Sequence, residues 1–381
     1  MLTAAAPAAL TAGDVLAQVF GDSRSISHGG NREECRIHVL AQGGEPRWII
    51  VGSPSRAMPV LKSWAPWKKS SRVQWNAVRM ASAMNALAML PGVVNSAVEI
   101  DTSWWRATLP SFPMEWSAVI HVGSPSYTRK AILFVIEGGA RVVCAAKVPL
   151  APESAGAILN EADMLDRLSR FDYLPRVLFC DRARGVAGQS WLEGRPVGRG
   201  FTEAHLDLLN SLVCAEGFVR VCDCRAELIR GLKKPDFPYD RSVLARGIEI
   251  LDCDVPLPRF VEHRDFAPWN LKWIGKGVLG LLDWEWAEAE GLPWQDACRY
   301  FYLDDGHVNG AGRVWEALTA DPLLQRYCRR FEIPQNALPA LTMRYLIREL
   351  LMEWEGRNQR LADYAYRQIR YLLDVISPSK G

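Results

Sequence analysis

The sequence predicts an α+β fold of two lobes, a small β-rich N-lobe and a larger helical C-lobe, with an extra N-terminal α/β region in front. Three observations lead there. Short strand-like runs crowd residues 116–193, with one helical segment among them. From residue 194 the apolar residues fall mostly at helical spacing. Residues 1–115 carry strand-like and helical runs of their own and form an extension of unassigned role.

Composition bounds the function. At 381 residues the chain is too long for one core of ordinary size and suggests two or three units. Hydrophobic residues at 49% and charged residues at 23% are those of an ordinary globular protein. Lys plus Arg is 45 and Asp plus Glu is 43, so the net charge of +2 argues against nucleic acid or an anionic membrane as the main partner. No run of about 18 apolar residues predicts a membrane span. The Ala-rich start lacks a basic region and Asp14 interrupts it, so it does not read as a secretory signal. Nine cysteines without paired spacing fit reduced thiols and a cytoplasmic location. Cys222-Asp223-Cys224, with Cys214 nearby, has no His-rich partner segment and reads as small buried residues rather than a metal site.

In the extension, residues 36–40 and 47–52 read as strands around the turn Gly43-Gly44-Glu45-Pro46. Val73, Ala77, Met80, Met84 and Leu87 sit at helical spacing, and Pro91-Gly92 closes that helix. Trp48, Trp64, Trp67, Trp75, Trp104 and Trp105 crowd this region, as packing or as a surface for a protein partner or self-association. In the N-lobe, residues 118–122, 131–136 and 141–148 read as strands, with Gly138-Gly139 as the hairpin turn between the last two. Residues 154–170 read as a helix, and 176–180 and 186–192 as two more strands. In the C-lobe, 201–230, 338–355 and 361–375 carry helical spacing.

The chemistry concentrates in His263-Arg264-Asp265-Phe266-Ala267-Pro268-Trp269-Asn270, followed by Leu281-Leu282-Asp283-Trp284-Glu285. Phosphoryl transfer needs a carboxylate for the attacking hydroxyl, plus an amide oxygen and a further carboxylate for magnesium. Asp265 and Asn270 are five apart on a predicted loop, so both can face one way. Residues 271–274 and 278–282 read as a hairpin that brings Asp283 back beside Asn270. For a lone His-x-Asp the plainer reading is a pinned loop; Asn270 and Asp283 favour the functional one.

This segment resembles the aminoglycoside phosphotransferase and choline kinase superfamily, whose usual form is His-Gly-Asp-x-x-x-x-Asn followed by Asp-x-Glu. The resemblance covers residues 116–300 well and the C-terminal helices loosely, and leaves residues 1–115 outside. It implies a two-lobed, protein-kinase-like fold that binds ATP and Mg2+. It further implies Asp265 as the catalytic base, His263 as the brace of the loop, and Asn270 and Asp283 as magnesium ligands. Arg264 stands where Gly is usual.

The N-lobe offers matching parts. Lys147 ends a strand among apolar residues, and Glu161 follows fourteen residues later on a helix, as a phosphate-binding lysine and its partner would. Glu153 and Asp163 are alternative partners. The loop Gly123–Lys130 supplies Ser124, Ser126 and Thr128 for phosphate oxygens, with Arg129 or Lys130 adding charge; as a sequence it equally describes an exposed polar hairpin. The resemblance places the adenine at residues 189–194, with Gln189, Ser190 and Leu192 contributing mainly backbone groups. Glu285, Asp296 and Arg299 stand nearest for a small-molecule hydroxyl acceptor, with Asp304-Asp305 beyond. Two other readings stay open. His-Arg-Asp is also the protein-kinase spelling, but Asp-Phe-Gly, Ala-Pro-Glu and a G-x-G-x-x-G loop are absent. A nucleotide-binding interaction module without turnover is the other.

Overall fold

The computed structural model describes residues 9–21, 32–64, 66, 69–126, 128–308 and 313–376, without the side chains of 69, 70, 215 and 304–308. The chain divides into two compact units, Met1–Pro196 and Val197–Gly381. The first is built on a sheet and the second is mainly helical.

The first unit opens with α1 (Ala12–Phe20). Thr11 and Asp14 cap it reciprocally: the Thr11 Oγ1 accepts from the Asp14 amide and the Asp14 carboxylate from the Thr11 amide. Strands β1 (Arg32–Gln42) and β2 (Glu45–Val51) then form a hairpin. Its turn is Gly43-Gly44, both at positive φ (64° and 84°), as a two-residue turn of this hand requires. There follow α2 (Met58–Ser63), α3 (Lys69–Ala83), β3 (Val93–Asp101), α4 (Ser103–Thr108), β4 (Trp116–Val122), β5 (Lys130–Glu137) and β6 (Arg141–Pro149). α5 (Ser154–Arg167), β7 (Val177–Asp181), β8 (Val186–Gln189) and a two-residue strand β9 (Arg195–Pro196) complete the unit.

Eight of these strands make one antiparallel sheet in the order β3-β1-β2-β4-β5-β6-β8-β7. The sheet therefore runs without a break from residues 1–115 into residues 116–193. The join is β2 against β4, in register from Trp48↔His121 to Val51↔Ala118. Alternation sends Ile49 and Val51 into one core with Val15, Val19 and Trp105, and Trp48 and Ile50 into the other with Leu61 and Trp75. Each such fully buried aliphatic side chain contributes roughly 1.5–3 kcal/mol.

Two expectations need correction. Of the expected stripe, Val73 and Met80 of α3 and Met84 just after it face solvent, at 73%, 66% and 66% exposure, while Leu87 is buried. The helix turns Trp75 and Ala81 inward instead, because the larger indole fills the core and its Nε1 donates to the carbonyls of Leu61 and Trp64. Trp48, Trp75 and Trp105 are buried, so these tryptophans serve as packing; Trp67 lies outside the described residues. The run 201–230 is not continuous helix. It contains α6 (Glu203–Ser211), β10 (Val213–Val219) and α7 (Arg225–Leu232), with Gly217 at φ 99° inside the strand, where a helix could not continue.

The second unit continues with α8 (Arg241–Ile250), β11 (Leu257–Glu262), β12 (Leu271–Trp273), β13 (Leu279–Leu281), β14 (Glu288–Gly291), α9 (Gln295–Val308), α10 (Val314–Ala320), α11 (Pro322–Arg330), α12 (Leu338–Glu355) and α13 (Gln359–Ile376). β10, β11 and β14 form a small antiparallel sheet, and β12 pairs with β13 as the expected hairpin. α12 packs against α7, α8, α9 and α13 and is buried on most of its circumference from Leu338 to Leu351. Among the described residues no helix is long and apolar enough to cross a membrane.

Candidate active site

The loop from His263 to Asn270 leaves β11 and enters β12, and its geometry is fixed from below. Asp296, on the first turn of α9, is buried and accepts two backbone amides. Its Oδ2 takes His263 N and its Oδ1 takes Arg264 N, both at 2.8 Å. Burial pushes its carboxyl up to about 7, and the two amides pull the other way. Arg264 has φ 66°, the left-handed region that Gly enters freely and other residues at a cost of about 1–2 kcal/mol. A glycine at this position would adopt the conformation without that cost. Arg264 holds the conformation through its captured amide and an ion pair to Glu288.

His263 is fully buried. Its Nδ1 accepts from the Asp265 amide at 3.2 Å and its Nε2 donates to the Leu282 carbonyl at 3.0 Å. These partners assign the proton to Nε2. The ring stands edge-on to Trp284, centroids 4.6 Å apart. His263 thus ties the loop to the segment that carries Asp283.

Asn270 ends a 3-10 turn and is buried. Its Nδ2 donates to the Asp265 carbonyl at 2.9 Å and to Asp265 Oδ2 at 2.7 Å. The Leu282 amide donates to the Asn270 carbonyl at 2.9 Å, so the β12–β13 hairpin returns Asp283 next to Asn270. Asp283 sits at φ 68°, a conformation Asp tolerates better than most residues. The amide oxygen of Asn270 and the carboxylate of Asp283 are hard oxygen donors. A pair of these is what magnesium takes when phosphates and waters fill its other positions. With Asn270 Nδ2 committed to Asp265, its oxygen is the atom left to coordinate, so the residues fit the ion.

Arg299, also on α9, reaches Asp265 from the other side. Its Nη2 and Nε donate to Asp265 Oδ1 at 2.8 and 3.2 Å, and its Nη1 pairs with the buried Glu349 of α12. Neither Asp296 nor Arg299 is placed to read an acceptor, as the sequence suggested. One carries the loop backbone and the other fixes the Asp265 carboxylate. Glu285 is partly exposed. The side chains of Asp304 and Asp305 lie outside the described residues. Beneath the loop, buried Glu262 pairs with Arg344 and Arg348. Burial raises its carboxyl, and the two guanidiniums outweigh this and hold it at about 2. Sequence reasoning missed Glu262, Arg344, Arg348 and Glu349. The i, i+4 spacing of Arg344 with Arg348 and of Tyr345 with Glu349 on an apolar helix was the available signal.

In the first unit, Lys147 on β6 and Glu161 on α5 form a buried ion pair through Nζ and Oε2. Glu161 Oε1 has no hydrogen-bond partner among the described residues. The alternative partner Asp163 pairs with Arg182 instead. The β4–β5 loop is closed by Gly123, whose amide donates to the Lys130 carbonyl at 2.9 Å. A Cβ at Gly123 would meet that carbonyl oxygen at 2.9 Å, so the turn needs glycine. Ser124 and Ser126 lie exposed on this loop and Thr128 is half-buried; Tyr127 lies outside the described residues. Arg129 is 5% exposed and paired with Glu45, so it braces the loop. Gln189 ends β8. Ser190 is pinned to Arg176, its amide donating to the Arg176 carbonyl and its hydroxyl accepting the Arg176 amide. Leu192 is half-buried just beyond.

No family model and no curated protein sequence matches the chain. Among solved structures it is similar to a thermostable mutant of the aminoglycoside phosphotransferase APH(4)-Ia in its apo form, at 15% identity and a TM-score of 0.49, over 68% of this chain and 95% of that one. It is similar to the choline kinase LicA from Streptococcus pneumoniae at 12% identity and a TM-score of 0.44, over 65% and 89%. It is also similar to macrolide 2'-phosphotransferase type I at 14% identity and 0.45, over 66% and 92%. These are proteins of the kind the His263–Asn270 segment resembles; at such scores they assign nothing further to this chain.

Proposed function

We propose that the chain is an ATP- and magnesium-dependent phosphotransferase that moves the γ-phosphoryl group to a hydroxyl of a small molecule. One observation carries the reading. The Asn270 amide holds Asp265 Oδ2 at 2.7 Å while the hairpin sets Asp283 beside Asn270, so a base and two magnesium-type oxygen donors share one place.

In this reading Asp265 orients the acceptor hydroxyl and takes its proton. A carboxylate offers about four acceptor positions. Arg299 uses two on Oδ1 and Asn270 one on Oδ2, which leaves Oδ2 a lone pair for the hydroxyl. Asn270 and Asp283 hold magnesium, which neutralises phosphate charge when bound. Lys147, held by Glu161, takes phosphate oxygens, and residues 189–192 receive the adenine. Glu285 and the indole of Trp269, 42% exposed, are the side chains that meet the acceptor in this reading. An acidic and an aromatic contact favour a sugar or amino alcohol that carries a cationic amine.

The test is transfer from γ-labelled ATP to a panel of sugars, aminosugars, amino alcohols and peptides, with and without magnesium. A labelled small molecule that needs magnesium is the expected result. Labelling of peptides alone, or of nothing, would overturn the proposal.

A further inference from the structure

The β1–β2 hairpin lies outside the family resemblance, yet two of its side chains reach the β4–β5 loop. Glu45 opens β2. Its Oε2 accepts from Arg129 Nη2 at 2.8 Å and its Oε1 accepts from the Leu10 amide at 3.2 Å. Arg129 also donates its Nε to the Gly123 carbonyl at 3.1 Å, and its own carbonyl takes the Leu150 amide. The charge of Arg129 is thereby neutralised and its donors shape the loop.

Arg47 stands two residues after Glu45, at the point where the β1–β2 register shifts between Leu40↔Trp48 and Ala41↔Pro46. Its Nη2 donates to Ser124 Oγ at 3.1 Å, at the exposed part of the loop. Among the described residues no carboxylate pairs with Arg47, and the charge it feels most is that of Arg129. Lys130 is close as well: after burial, Arg47 and Lys130 are what push the neighbouring His121 down to about 3. Arg47 and Arg129 thus stand at the loop together, Arg129 paired with Glu45 of β2 and Arg47 on the exposed hydroxyl of Ser124. A half-buried guanidinium set beside another guanidinium and a hydroxyl is a site short of one anion.

We propose that Arg47 and Ser124 together bind a phosphate group of the nucleoside triphosphate, so that the N-terminal hairpin completes the nucleotide site. The inference rests on the phosphotransferase reading. It gives residues 32–51 a role: Glu45 and Arg129 set the loop, and Arg47 brings a guanidinium to Ser124.

The experiment uses the full chain and compares wild type, Arg47→Gln, Arg47→Lys and Lys147→Met by calorimetric titration with magnesium-ATP, adenosine and tripolyphosphate. Arg47→Gln should weaken ATP and tripolyphosphate about ten- to a hundred-fold and leave adenosine unchanged. Arg47→Lys should recover most of the loss. In turnover, Arg47→Gln should raise the KM for ATP and leave kcat within about threefold. Equal weakening of ATP and adenosine would mean that Arg47 only shapes the loop, and would overturn the proposal. If Arg47→Gln does not fold, Ser124→Ala decides: it should weaken ATP about three- to tenfold, and unchanged affinity would overturn the proposal. ATP binding lost in Lys147→Met but intact in Arg47→Gln refutes the inference and leaves the phosphotransferase reading standing. Tripolyphosphate binding that depends on Arg47 in a chain that binds no ATP upholds the anion site and refutes that reading. Binding of neither by wild type refutes both.

Discussion

In the first unit Lys147 and Glu161 form a buried ion pair, and in the second unit the polar groups around Asp265 form a network. Lys147 takes one oxygen of Glu161, while the other oxygen is buried without a hydrogen bond among the described residues. Around Asp265, by contrast, each polar group leans on another. Asn270 holds one carboxylate oxygen and Arg299 the other, Arg299 is held by Glu349, and Asp296 carries the backbone of His263 and Arg264. A pair fails when one member goes, because a charge is stranded in a low-dielectric interior. A network spreads the loss over partners that remain. The difference suits the proposed tasks. A lysine that takes phosphate needs an open acceptor environment, and a base must keep one orientation.

Substitutions can break or sharpen this contrast, and the largest effect belongs to the pair. Lys147→Met strands Glu161 and should cost about 3–5 kcal/mol of stability in urea denaturation. Adding Glu161→Gln should return a large part of that cost. A double variant as unstable as the sum of the two singles would show that the pair is not coupled. Asp296→Asn comes next. An asparagine can accept only one of the two amides and turns its NH2 toward the other, so about 1–3 kcal/mol should be lost, together with turnover. Unchanged stability and turnover would show that the Asp296 carboxylate does not carry the loop.

Acid sharpens the network side. Glu262 is held at about 2, below its ordinary value near 4.5. A depressed carboxyl contributes stability that is complete above the unfolded value and is lost as the pH falls through 4.5 toward 2. Glu262→Gln should therefore be less stable than wild type at pH 7, and should lose less than wild type between pH 5 and about 2.5. Parallel curves would contradict the ion-pair account. The smallest effect is expected at Arg264→Gly. Relief of the left-handed residue and loss of the half-exposed pair with Glu288 oppose each other, so stability should move by less than about 1 kcal/mol. A drop of several kcal/mol would mean that the Arg264 side chain, and not only its amide, holds the loop.

Much of this was legible because the side chains that meet one another leave a spacing. Asp265 and Asn270, five apart, touch directly. Lys147 and Glu161, fourteen apart, meet because a strand and the next helix pack face to face. The long helix α12 spans Leu338–Glu355 as its periodicity predicts. Asp296 was misread as an acceptor contact because its partners are backbone amides, which carry no residue identity. α3 was turned the wrong way because two methionines and a valine make as regular a stripe as Trp75 and Ala81 do; only the volume of the core decides between them. That β2 pairs with β4 across more than sixty residues is equally silent, since register is set by partners far apart in the chain. The same distance hid Glu45 and Arg47 from the loop they hold.

The central claim is that Asp265 acts in proton transfer rather than in holding the nucleotide. Asp265→Asn keeps the shape and one of the two contacts, to Arg299 or to Asn270, while removing the proton acceptor. With an acceptor found by the labelling screen, turnover should fall by roughly 10²–10⁴-fold while the Kd for magnesium-ATP stays within about threefold of wild type. An Asp265→Asn enzyme that turns over normally, or one whose loss is explained by failed ATP binding, would contradict the account.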